Sequence, residues 1–500
     1  MLKLPYAIRD FEKLITERFM YFDRTDRIAL MENIGYELLF LRPRRFGKSL
    51  WLSTLMNYYD VATADDFERL FGHLAIGRKP TPLHNQYLVM KWDFSAIRSH
   101  GTIEQIEADL HLRINVWISV FLDKYRAYLP EKVETQPSAL ATLDAVLGVV
   151  SRSPYKLYLF IDEYDNFANE VMMGQQGDNR KRYDDLVSGE GMFKTLFKNI
   201  KMAGSGNGLD RVFMTGVSPI VMNDVTSGAN VNEDVTWLPY FSDLCGFTQT
   251  EVRSLVDRIV GEGQLAASKV EEAMEQMRIF YNGSRFVTRF PNHAPSSTPK
   301  DVTQVYNPIL VFYFLRNIQR FGEYPEIMLD NNLAPDYNKL VYISSHIKGE
   351  QLIQDALSEE NSVTVSDLSE RWGVREMLDP DKQQERLATL LCYLGALTIA
   401  GKTSTAKLIL EIPNLVMRKL YAERLLNLIF RTADERDEAK AATDLLFASG
   451  DIDPLCTFVE RHLFTIYDNR DHKDFNELTL KTLFIALLYY NKLYMMDSEP

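Results

Sequence analysis

One run constrains this chain more than any other: Gly35 to Leu55, GYELLFLRPRRFGKSLWLSTL, where an apolar strand, a Gly-Lys-Ser turn and a helical pattern follow without a gap. Leu38 to Leu41 read as a buried strand, Gly47-Lys48-Ser49 closes a loop, and Leu50, Leu52 and Leu55 recur at helical spacing. A helix that starts directly behind such a loop directs its unpaired amides at whatever sits above it, and an anion fits there. The residue types extend the inference to a nucleotide. Amides from Arg44, Arg45, Phe46, Gly47, Lys48, Ser49 and Leu50 would cradle phosphates, the Lys48 ammonium would reach the β and γ oxygens, and the Ser49 hydroxyl would ligate Mg²⁺. The general pattern for such a loop begins with glycine, yet Arg42 stands there, followed by Pro43, which has no N–H to offer.

A second run, KLYLFIDE from Lys156 to Glu163, is too short for a helix, rich in strand formers, and ends in two adjacent carboxylates. Ligands of parallel sheets sit beyond the carboxyl ends of the strands, so Asp162 and Glu163 belong at the same rim as the loop. Asp162 is expected to hold Mg²⁺ through water and Glu163 to polarise the attacking water. A further strand, Arg211 to Val217, carries Thr215 near its end, either as a reader of the γ-phosphate or as an ordinary hydrogen-bonded strand terminus.

RPRRFGKSL, preceded by YFDRTDRI (21–28) and followed by IDEYD (161–165), TGVSPI (215–220), CGFTQTEV (245–252), YNGSRF (281–286), VYNPILV (305–311) and IPNLVMR (412–418), resembles the AAA-ATPase-like family often fused to a PD-(D/E)XK nuclease-type domain. These runs follow the family's order over most of the chain. The resemblance implies that the Arg-Pro-Arg-Arg entrance is the family's own variant of the loop. It also implies a P-loop sheet of the additional-strand, catalytic-Glu type, a strand between the loop strand and the carboxylate strand in sequence being its mark, followed by a helical lid.

The organisation expected is α/β: a P-loop domain over 1–240, a helical lid over 241–345, a winged-helix-like unit over 346–425, and a helical start of a nuclease-like domain over 426–500 that lacks its catalytic core. In the first part, Tyr87 to Phe94 reads as a strand and Ile103 to Tyr128 as a long helix. In the lid, Thr248 or Thr250 would cap one helix, Ser268 to Tyr281 forms another, and Pro308 begins a third. Two helices and then two strand runs around a Gly-Lys-Thr-Ser turn fill Thr364 to Asn414. The turn Gly401-Lys402-Thr403 echoes a phosphate loop but opens no helix, and the Gly-x-Gly-x-Gly spelling of 204–208 precedes a strand, so neither is taken as a nucleotide site. Segments 172–179 and 204–208 read as mobile loops and 292–300 as a linker. The only Glu-x-Lys triplet that tempts a nuclease reading, Glu438-Ala439-Lys440, lies in a charged run expected to be a solvated helix face.

A net charge of −13 argues against a broad nucleic-acid surface, while nucleic acid contact through the winged-helix-like unit stays open. Cys245, Cys392 and Cys456 are odd in number and widely spaced, which fits a reducing cytoplasm and three buried thiols. No run offers the roughly 20 apolar residues of a membrane span; Lys481 and Lys492 interrupt 478–496. The eight histidines form no zinc pair, and no Gly-x-Ser-x-Gly elbow is present. Arg44 and Arg45 would add charge beside the phosphates, face a partner's nucleotide, or stay solvated; Tyr21, Phe22 and Asp23 flank the adenine or serve as core and cap. The function expected is Mg²⁺-dependent ATP hydrolysis coupled to an attached effector, a homo-oligomer or a protein partner. The alternative is a non-hydrolysing nucleotide switch.

Overall fold

The structure, a computed structural model, describes residues 1–166, 170, 179–187, 191–204, 208–226, 233–288, 304–328, 337–358, 361–369, 372–377, 381–430, 432–466, 483–484 and 486–488. Most of the expected loop 172–179, the middle of 204–208, the linker 292–300 and most of 478–496 lie outside these residues.

Continuous apolar runs make a sheet that must be covered on both faces, and the chain supplies helices for each. Strands β1 (Glu37–Leu41), β2 (Tyr87–Asp93), β3 (Lys156–Asp162), β4 (Leu209–Gly216) and the two-residue β5 (Glu233–Asp234) form one parallel sheet in the order β2-β3-β4-β1-β5. Alternate residues supply the two faces. Leu39, Leu41, Leu159 and Met214 pack under the helices Ile103–Lys124, Ala139–Ser151 and Met192–Ala203, whereas Leu38, Phe40, Phe160 and Phe213 meet Trp51, Leu52 and Leu55 of the loop helix Lys48–Tyr59.

The order makes this an α/β P-loop sheet of the expected class, and it shows which strand is the additional one. Sequence order puts β2 between the loop strand and the carboxylate strand, but in space β2 is the edge and β4 fills the slot, with Phe40 opposite Thr215 and Ile161 opposite Met214. Chain order does not fix strand order when each connection crosses a face. The consequence is functional: Thr215 stands between the loop and the acid pair.

Thr248, not Thr250, caps the helix Gln249–Gly261, and Glu251 closes a capping box with it. The next helix runs Val270–Tyr281, entered by a 3₁₀ turn, and Asn307 caps Pro308–Phe321. Leu2, Leu4 and Met20 of the N-terminal segment pack into the core these helices share. Beyond them, strands β6 (Ser362–Val365), β7 (Thr398–Lys402) and β8 (Leu408–Glu411) form an antiparallel sheet ordered β6-β8-β7, with helices Ile347–Leu357 and Gln383–Tyr393 against it. Thr364, where a helix was expected to begin, is in β6; the Ser-Val-Thr-Val run is β-branched and pairs at the sheet edge, which outweighs its shortness. The Gly401-Lys402-Thr403 echo does fall in the β7–β8 hairpin.

The motif-like runs outside the loop are joints between layers. A Cβ on Gly246 would come within 2.8 Å of Val305 Cβ, and one on Gly283 within 2.0 Å of Pro413 O; both glycines hold positive φ. Arg285 donates its amide to Thr398 Oγ1 and its guanidinium to Glu411. Glu438 faces Arg461 and His462 on an exposed helix face, as expected for that charged run. Cys245 and Cys392 are buried, but Cys456 is only half-buried. Among the described residues no helix is long and apolar enough to cross a membrane.

Candidate nucleotide site

The loop between β1 and its helix divides its arginines by direction. Arg42 turns inward. Only 1% exposed, it donates to the carbonyls of Leu41, Thr236 and Phe241 at 2.8, 2.7 and 2.6 Å, with its guanidinium carbon 4.6 Å above Phe40 and 4.2 Å above Phe286. Burial brings its pKa down to about 10, so it remains a cation at neutral pH. The residue standing where glycine was expected therefore occupies no phosphate position; it ties the loop strand to the segment after β5. Arg44 points the other way, donating to Asn166 Oδ1 at 2.6 Å.

Gly47 holds φ 109° as the N-cap of the loop helix, and a Cβ built on it would meet nothing within 4 Å. The space above the helix start is open. Lys48 is buried, and its ammonium donates to the carbonyls of Arg42 (2.9 Å) and Pro43 (3.1 Å). Burial lowers its pKa, and the charges of Asp162, then Glu163 and Asp165, pull it back up.

At the end of β3, Asp162 is buried and its pKa is raised, by burial first; Lys91, 3.9 Å away, and a hydrogen bond from Ser49 oppose the rise. Glu163 follows with φ 49°, a left-handed conformation rare for a side-chain-bearing residue and typical of strained functional turns. The next residues hold that turn in place. Tyr164 donates its amide to Thr215 O (3.1 Å) and its hydroxyl to Ser218 O, while the buried Asp165 carboxylate accepts the amides of Val217 and Ser218. With Tyr164 and Asp165 anchored on β4 and the segment after it, Glu163 projects into the cleft, and burial together with Asp162's charge raises its pKa. Thr215 is fully buried on the same face as Asp162, and its hydroxyl has no hydrogen-bond partner. A buried polar group left so is rare and marks a place where a ligand oxygen or water belongs.

These residues line one cleft of about 600 Å³, floored by the loop and walled by the N-terminal segment and by the starts of two helices at Phe247 and Pro308. Arg44, Arg45, Phe46, Gly47, Lys48, Ser49, Leu50 and Glu163 all face it; Asp162 and Thr215 are buried and do not line it. Tyr21 and Phe22 also line it, but Asp23 is a structural cap, accepting from the amides of Thr25 and Ala75. Sequence reasoning missed Asp165, Asn166 and the Lys91/Asp93 pair at the end of β2; the signal was present in IDEYDN and KWD, polar residues clustered where two adjacent strands end.

The donor set fits a nucleotide with its cation. Ser49 opens the loop helix and Asp162 ends β3 as a buried carboxylate, the Thr215 hydroxyl is unpartnered, and the loop keeps open space at Gly47. Among the described residues no group of three or more His, Cys, Asp or Glu side chains could hold a metal alone.

A family model described as AAA-ATPase_like, predicted AAA-ATPase, matches residues 5–226. An uncharacterized protein in the vnfD 5' region of Azotobacter chroococcum mcd 1 is 26% identical over 255 residues, 50% of this chain; the match spans 44% of that protein's length. Among solved structures, the Walker-type ATPase PABY2304 of Pyrococcus abyssi superposes with a TM-score of 0.41 at 14% identity, covering 84% of this chain and 98% of that one. The Aeropyrum pernix ORC2 protein gives 0.36 at 10% identity, covering 82% and 92%. With its loop, its strand order and the family match in register over the same residues, segment 5–226 is an AAA-ATPase-like domain, a nucleotide-binding P-loop fold.

Proposed function

We propose that the chain is a Mg²⁺-dependent ATPase that transmits its nucleotide state to the C-terminal unit. One observation carries the reading: the buried Lys48 and the projecting Glu163 line the same cleft, with Asp162 next to Glu163 at the end of β3 and open space for an anion at Gly47. Lys48 would exchange the carbonyls of Arg42 and Pro43 for β and γ oxygens, a charge-assisted bond replacing two neutral ones. Ser49 and Asp162 would hold the ion, and Thr215 would meet the γ-phosphate. Glu163 takes the proton of the attacking water as its oxygen bonds to the γ-phosphorus and the bond to the bridging oxygen breaks, leaving ADP and phosphate.

Three contacts support the coupling. Pro43 sits so close to Gly395 that a Cβ there would come within 2.7 Å of it, Trp237 donates to the Tyr393 hydroxyl at 2.9 Å, and Asp224, just beyond the Asp165-anchored turn, accepts the amide of Val374. Element order over 346–425 supports the winged-helix-like reading, in which Gln383–Tyr393 would be the groove-reading helix. From Leu387 to Tyr393 every residue of that helix is buried, so in this arrangement the unit serves protein contact and not a DNA groove.

Phosphate release from wild type, Lys48→Ala and Glu163→Gln tests the ATPase reading. Wild type should turn over, Lys48→Ala should lose nucleotide affinity, and Glu163→Gln should bind ATP with turnover reduced by about 10²-fold or more. Tight ATP binding by a wild type that releases no phosphate would replace this reading with the non-hydrolysing switch.

A further inference from the structure

Phosphoryl transfer builds charge on the γ-oxygens, and an arginine that meets it, from the same chain or a neighbour, typically accelerates the reaction by about 10³–10⁵-fold. The arginines around this cleft differ in what holds them. Arg42 is committed to three backbone carbonyls in the core, and Arg24 is clamped through both terminal nitrogens to Glu251 at 2.6 and 2.8 Å. Arg44 is held by a weaker kind of group. Its Nη2 donates to the neutral amide oxygen of Asn166, whose Nδ2 donates in turn to Glu170 Oε1 at 3.1 Å. Asn166 also donates its main-chain amide to the carbonyl of Glu163 at 3.0 Å, so the group that holds Arg44 belongs to the same turn as the proposed base. Arg44, Glu163, Asn166 and Glu170 all line the cleft that Lys48 lines.

Resting on the ATPase reading, we propose that Arg44 is an in-chain catalytic arginine, parked on an Asn166–Glu170 latch and released to the γ-phosphate when a triphosphate occupies the loop. The chemistry of the latch is the argument. A carboxylate at 166 would hold the guanidinium as firmly as Glu251 holds Arg24, whereas a neutral amide yields to a phosphate oxygen carrying full charge. ADP, lacking the γ-group, gives Arg44 nothing to move to, so the latch distinguishes triphosphate from diphosphate.

The test uses the full chain with wild type, Arg44→Ala and Asn166→Ala, measuring affinity for Mg·ADP, affinity for Mg·ADP with aluminium fluoride, and phosphate release. Wild type should prefer the fluoride complex by about 10-fold or more. Arg44→Ala should erase that preference and cut turnover by about 10²-fold or more while ADP affinity stays within about threefold. Asn166→Ala should keep the preference and bind the fluoride complex more tightly than wild type, because no latch competes. Retention of both preference and turnover by Arg44→Ala overturns the proposal, as does an equal loss of ADP and fluoride-complex affinity; weakened fluoride-complex binding in Asn166→Ala overturns the latch. A wild type that binds ADP but neither discriminates nor hydrolyses defeats the ATPase reading itself, and with it the role of Arg44.

Discussion

Restoring the glycine that a general phosphate loop would carry, by Arg42→Gly, should damage this protein. The substitution removes the donor to two non-local carbonyls, Thr236 O and Phe241 O, and each buried acceptor left unpaired costs about 1–3 kcal/mol. Loss of a desolvated cation lying over two rings adds about 1–2 kcal/mol. Part of this is offset, since the variant no longer has to strip water from a guanidinium. The net is about 3–5 kcal/mol, the range of a large side chain deleted from a core. A 500-residue chain of several units does not unfold in one step, so the global midpoint is the wrong measure. Hydrogen exchange at the amides that Arg42 secures is the right one: Val235, bonded to Leu39 O, and Phe241, bonded to Leu238 O. With about 1.4 kcal/mol per factor of ten, both should exchange some two to three orders of magnitude faster in Arg42→Gly. Arg42→Lys, which keeps the charge but not the planar fork, should fall between. Exchange in Arg42→Gly within threefold of wild type would falsify the assignment of Arg42 to the core and return it to the phosphates.

Glu163→Gln should also raise stability in the absence of nucleotide. The folded-state pKa of Glu163 is raised, by burial first and then by Asp162, so the folded protein holds that proton to higher pH than the unfolded chain does. Stability from this group is therefore present at low pH and lost as pH rises from the ordinary carboxylate value through the raised one. The variant should melt higher than wild type at pH 7–8 and show no advantage near pH 4; an advantage that persists at pH 4 would point to relief of the left-handed turn instead. For the coupling, Tyr393→Phe leaves the Trp237 indole N–H without its acceptor, at about 1–2 kcal/mol, and should speed amide exchange around Leu394–Thr398. Addition of ATP to wild type should change protection at those same amides; no change there while the loop becomes protected would separate the C-terminal unit from the nucleotide.

Much of the site was legible along the chain because its chemistry is local. A loop fixed by Gly47, followed at once by Lys48 and Ser49, needs only neighbouring residues to form, and Asp162 and Glu163 needed only a buried strand to carry them to the rim. Helix caps were readable for the same reason, Thr248 with Glu251 and Asn307 with Pro308 lying within one turn of each other. Thr215 was placed correctly at a strand end. The sequence could not say that its strand lies between the other two, because strand order is set by which crossovers pack, and these involve residues far apart in the chain.

What tertiary structure alone decided is the use of each arginine and acid around the loop. RPRR spells one positive cluster in sequence, yet Arg42 enters the core because Thr236, Phe241 and Phe286, some 200 residues or more away, offer it carbonyls and a ring, while Arg44 meets Asn166 on the turn after β3. IDEYD likewise separates into the buried Asp162 at the end of β3, Glu163 in the cleft and Asp165 on the amides of Val217 and Ser218. Composition and spacing determine that a phosphate loop and an acid pair exist in this chain. The direction in which each charge points depends on partners brought together only by folding, because a buried ion persists only where the completed core supplies its hydrogen bonds.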